Sequence, residues 1–126
     1  MKKYNPNQAP DPEEWNALDD SERLVLIEDY HKCKRINLPN QVLHATIHAV
    51  VENQIAMGDE FNAAETLDRL ISEGLDRHEA IHAIGSVLAE HIYNMLKGEM
   101  SDFTHSQYFS QLNELTAEKW REKGQE

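Results

Sequence analysis

The chain has 126 residues, enough for one domain with a modest core that needs no covalent staples. Acidic residues outnumber basic ones 23 to 12, for a formal charge of −11. Such a surface repels phosphate backbones and anionic lipid, so neither nucleic acid nor membrane is an expected partner. The single cysteine, Cys33, rules out an intrachain disulfide framework and suits a reducing compartment. No apolar run approaches ~18 residues, and the polar N-terminus lacks a signal-peptide core, so a cytoplasmic location is expected.

Residues 1–10, with Pro6 and Pro10, read as an N-terminal arm, followed by one domain over 11–123 and a short tail, 124–126. Pro12 opens a short helix capped by Asp11, with Glu13 and Glu14 in its first turn and Trp15 turned inward. Asp20 or Ser21 starts the next helix, which runs to about Arg35 with Leu24, Ile27 and Tyr30 as its apolar stripe. Leu38-Pro39-Asn40 ends it and caps a third helix from about Gln41 to Met57, stopped at Gly58. Asn62 caps a short amphipathic helix carrying Leu67, Leu70 and Ile71, which ends at Gly74. Asp76 and Glu79 form a capping box for a long helix from Arg77 to about Lys97. Thr104 and Gln107 repeat that signature for a last helix with Tyr108, Phe109, Leu112, Leu115 and Trp120. No alternating pattern of strand length interrupts this series. The fold class is therefore all-α: a bundle of about four main helices plus short ones, joined by connections that suit antiparallel neighbours.

Two of these helices carry the same signature. His44-Ala45-Thr46-Ile47-His48-Ala49-Val50 and His78-Glu79-Ala80-Ile81-His82-Ala83-Ile84 share the pattern H-x-[TA]-I-H-A-[VI], offset by 34 residues, an internal repeat. With His78 at zero on its helix, His82 lies at about 40°, Gly85 at −20° and Ala89 at 20°, within the apolar and small-residue stripe. His44 and His48 fall on the corresponding stripe of the earlier helix, with Glu52 near its edge at about 80°. Both pairs point inward, and an unpaired buried polar ring costs on the order of 1–3 kcal/mol. A metal ion held by His44, His48, His78 and His82 answers that cost, with Glu52 and Glu79 as the carboxylates best placed to join. Imidazole donors suit zinc, nickel, iron or copper. The competing reading keeps the histidines as hydrogen-bonded core groups of a non-enzymatic interaction module, in which an apolar helix face pairs two copies as a homodimer. His31, His91 and His105 stand outside the repeat and read as surface residues.

His78-Glu79-x-x-His82 also has the spacing of zinc peptidases, in which the glutamate serves as general base. Gly85 extends that match, but Leu88 stands where one large subgroup has a third histidine. Glu79 already has a capping role, and no upstream strand is available to align a peptide. A metal-dependent hydrolase with Glu79 as base is thus the third reading. Glu79-x-x-His82 is also half of a di-iron carboxylate motif, but the earlier copy has Ala45 in place of the glutamate.

The stretch from Leu38 to Met95 resembles a family of small bacterial helical proteins known only as a domain of unknown function. Leu43-His44-x-x-x-His48, Glu52-Asn53-Gln54, and the His78/His82 helix with Gly85 and Glu90 carry the resemblance. It implies an all-helical, bacterial, cytoplasmic protein with His44, His48, His78 and His82 as matching positions, and it implies no activity.

Overall fold

Three consecutive polar residues, Glu52, Asn53 and Gln54, define the arrangement of the chain. On a helix they project about 100° apart, and each meets a different partner. Glu52 pairs with Arg77. The Asn53 Oδ1 accepts hydrogen bonds from Trp15 Nε1 at 2.9 Å and from Arg23 at 3.1 Å. The Tyr108 hydroxyl donates to Gln54 Oε1 at 2.6 Å. A helix with a polar anchor in each of three directions is covered on all of them. That helix, α3 (Gln41–Ala56), is the centre of the bundle.

The computed structural model describes residues 1, 3–33, 41–58, 62–96 and 105–122. Within it the helices are α1 (Pro12–Ala17), α2 (Asp20–Cys33), α3 (Gln41–Ala56), α4 (Ala63–Ser72), α5 (Arg77–Leu96), α6 (His105–Glu114) and α7 (Ala117–Glu122). The all-α reading holds, and among the described residues there is no strand. α3 packs against α1, α2, α4 and α5, while α6 packs on α4 and α5. One core gathers Val51, Leu67, Leu70, Ile81, Ile84, Leu88, Tyr108, Leu112 and Trp120. A second gathers Tyr4, Trp15, Ile27, Ala45 and Ala49. Large apolar side chains of this kind each contribute about 1.5–3 kcal/mol on full burial.

The helix boundaries follow local chemistry, with four departures from the sequence-based expectation, the first being that the Asp11 side chain makes no cap hydrogen bond at α1. α2 is capped by Asp19, not Asp20 or Ser21. Asp19 Oδ1 accepts from Glu22 N at 2.8 Å and Glu22 Oε1 accepts from Asp19 N at 3.0 Å, a complete capping box. Asn62 does not cap α4: its backbone is already helical, and its amide donates to Asn113 Oδ1 at 3.0 Å. The last helix is broken, because Thr116 Oγ1 accepts from Lys119 N at 3.1 Å and starts α7 as a separate turn. Asp76 behaves as expected, accepting from Glu79 N at 2.8 Å. The expected stop at Leu38-Pro39-Asn40, the Thr104 cap and the end near Lys97 lie outside the described residues.

Gly85 sets the distance between α3 and α5. A Cβ there would stand 3.0 Å from Ile47 Cγ2, so a larger side chain would wedge the two helices apart. Ala89, on the same stripe, is exposed instead. The N-terminal arm is not a loose tail at its start. Tyr4 and Pro6 are buried, and the Tyr4 ring packs against Trp15, Tyr30 and His48 at centroid distances of 5.7, 6.3 and 5.4 Å. No described helix is long and apolar enough to cross a membrane.

Candidate metal centre

The Asp76 cap fixes the start of α5 and so puts His78 in its first turn, with His82 one turn on. α3 and α5 cross in opposite directions: His44 meets His82 at 4.6 Å between ring centroids, His48 meets His78 at 5.4 Å, and Glu52 reaches back to Arg77. The two histidine-bearing stretches of α3 and α5 therefore face each other.

A fifth imidazole comes from α2. His31 was expected at the surface, yet it is buried, with its ring 4.8 Å from His44, 5.5 Å from His48 and 5.4 Å from His78. The signal for it lay in the α2 stripe, since His31 follows Leu24 and Ile27 at helical spacing and so continues the face that turns inward. His31, His48, His78 and His82 each offer one nitrogen, and these four atoms lie within 4.8 Å of one another. Four nitrogens around a tetrahedral zinc-like ion stand about 3.4 Å apart, so the group must contract to hold one. Small side-chain rotations would close the group on one ion. His44 flanks the four, against His31 and His82.

The polar accounting within this cluster is incomplete. The His31 Nδ1–H donates to the Ile27 carbonyl at 2.8 Å, leaving Nε2 without a partner. His44 Nε2, His48 Nδ1, His78 Nε2 and His82 Nε2 are likewise buried with no hydrogen-bond partner. Burial, followed by the neighbouring imidazoles, lowers His44 and His78 to about 4 and His82 to about 3. The same causes hold His48 well below the ordinary histidine range. At neutral pH His44, His48, His78 and His82 are thus uncharged, and a neutral ring carries the lone pair that a metal requires.

The carboxylates stand elsewhere. Glu52 is buried, but Arg77 donates to both of its oxygens at 2.8 Å and Tyr4 donates to Oε2 at 2.5 Å, so its edge-of-stripe position serves an ion pair. Arg77 also donates to the Pro6 carbonyl at 2.9 Å, tying the arm to α5. Glu79 is only half-buried and is not part of the donor group. His91 was also expected at the surface and is buried. It does lie opposite His78 on α5, but that side is covered by α6, with the Tyr108 ring 6.0 Å away. The His105 side chain lies outside the described residues.

The depressed basicity makes a prediction for the metal-free protein. Each ring binds its proton less readily folded than unfolded, so the unfolded chain holds more protons between the unfolded value of about 6.5 and the folded values near 3 to 4. Stability is full above that window and falls as pH drops through it. Urea midpoints of metal-free protein should therefore fall from about pH 6.5 downward, and His82→Leu should flatten that fall.

Residues 8–114 match the family described as Domain of unknown function (DUF1841). No curated protein and no solved structure matches the chain.

Proposed function

The chain belongs to this family of undefined function, so its role rests on the site itself, and we propose that it binds a divalent transition metal, zinc, nickel or iron foremost, at a histidine centre between α2, α3 and α5. His31, His48, His78 and His82 are the proposed ligands, with His44 beside them as a fifth donor. The observation that carries this reading is the set of buried imidazole nitrogens gathered close to one another without partners. Hydrogen bonding within an ordinary core would supply acceptors or donors to those atoms, and none is present for them among the described residues. An all-nitrogen shell also selects against magnesium and calcium, which take oxygen ligands. Glu52 enters as support rather than as a ligand, since its charge is already matched by Arg77. Glu79 lies outside the donor group and is not proposed as a ligand. The acidic composition and single cysteine support a reducing, cytoplasmic setting.

Elemental analysis of protein purified without a histidine tag tests the proposal. We expect about one equivalent of zinc, nickel or iron, restored after chelation by adding the same ion. Less than about a tenth of an equivalent, with none taken up on addition, would overturn it.

A further inference from the structure

The arm meets the histidine cluster through Tyr4, whose ring packs on His48 and whose hydroxyl is its polar contact with that ring. That oxygen stands 2.5 Å from Glu52 Oε2 and 2.8 Å from His48 Nε2. Glu52 is held as a carboxylate by two donors from Arg77, so it can only accept. The one phenolic hydrogen therefore goes to Glu52, and the contact with His48 must use a hydrogen on the ring. A neutral imidazole has a single N–H. With that hydrogen on Nε2, the lone pair of His48 lies on Nδ1, the buried nitrogen that has no partner. His31 is set the other way: its Nδ1–H is spent on the Ile27 carbonyl, and Nε2 is the open nitrogen.

Resting on the metal-binding reading, we propose that Tyr4 is a positioning residue that fixes the tautomer of His48, so that His48 binds the ion through Nδ1 while His31, His78 and His82 bind through Nε2. The support runs in one line. Arg77, immediately before His78, holds Glu52; Glu52 orients the Tyr4 hydroxyl; the hydroxyl orients His48. Outer hydrogen bonds of this kind fix ring orientation and tautomer in metal sites. Tyr4 precedes residues 8–114, the part of the chain that matches the family, so this contact is supplied by the arm.

Long-range proton–nitrogen NMR of the full chain, with and without zinc, tests the assignment. Zinc-loaded wild type should show His48 protonated at Nε2 and bound at Nδ1, and the zinc-free protein should already show the Nε2–H tautomer. Tyr4→Phe keeps the ring packing and removes only the hydroxyl. It should mix the His48 tautomers and weaken zinc binding about 10- to 100-fold. Zinc bound to His48 through Nε2 in the wild type would overturn the role of Tyr4 alone. Unchanged His48 signals in Tyr4→Phe, with zinc affinity within about twofold, would do the same. Should that variant not fold, the tautomer in zinc-free wild type decides, with Nδ1–H overturning the proposal. Wild type that takes up no zinc instead overturns the metal reading itself.

Discussion

His82→Leu is expected to reverse its stability order against the wild type when zinc is exchanged for a chelator. With free zinc at about 100 to 1,000 times the dissociation constant, binding stabilises the wild type by about 2.7–4.1 kcal/mol. The variant loses one of four clustered nitrogens and most of that gain. In chelator the balance changes sign. The wild type then carries the buried, unpartnered His82 Nε2, and an unsatisfied polar atom of this kind costs on the order of 1–3 kcal/mol. Leucine has a similar volume and no such atom, so the variant should be at least as stable as the metal-free wild type. Urea midpoints in the two buffers measure both gaps. A constant penalty for His82→Leu, the same with zinc and with chelator, would show that the ring serves as an ordinary core group. His44→Leu should cross over less, because His44 only flanks the four-nitrogen group.

The two histidine pairs were legible because both halves of the site repeat one local pattern, and helical geometry alone turns that pattern inward. His31 was not, because a single histidine on a stripe is indistinguishable from a chance neighbour until α2 is placed against α3. Tyr4 was hidden by composition: an arm rich in asparagine, lysine and proline gives no periodic signal, and what buries it is tertiary, the packing of its ring on Trp15, Tyr30 and His48 together with the bond from Arg77 to the Pro6 carbonyl. Glu52 lay at the edge of the stripe, but a stripe angle cannot tell a ligand from a counter-ion. That distinction depends on Arg77, 25 residues away. His91 failed for a related reason. Its angle placed it opposite His78, and opposite means wet only for a helix covered on one side, whereas α5 is covered by α3 and α4 and again by α6. The angle was right and the inference from it to solvent was not.

The Arg77–Glu52 pair offers a second large effect, and one that separates stability from metal binding. Both side chains are nearly sealed from water, at 7 % and 1 % exposure. Arg77→Met should cost about 3–5 kcal/mol, because it leaves the Glu52 carboxylate buried with only the Tyr4 hydroxyl beside it and releases the Pro6 carbonyl. The double variant Arg77→Met/Glu52→Leu should recover much of that loss, since a buried ion pair replaced by apolar groups of similar size is often neutral or better. Zinc affinity should not recover with it. Without Glu52 the Tyr4 hydroxyl has no carboxylate to point at, and it is free to donate to His48 Nε2 and favour the opposite tautomer. Urea unfolding of metal-free protein and zinc competition titration, run on the same three proteins, therefore give different rank orders. If affinity instead rises and falls in step with stability across them, the pair acts only as a brace for the fold, and the line from Arg77 through Tyr4 to His48 carries nothing to the metal.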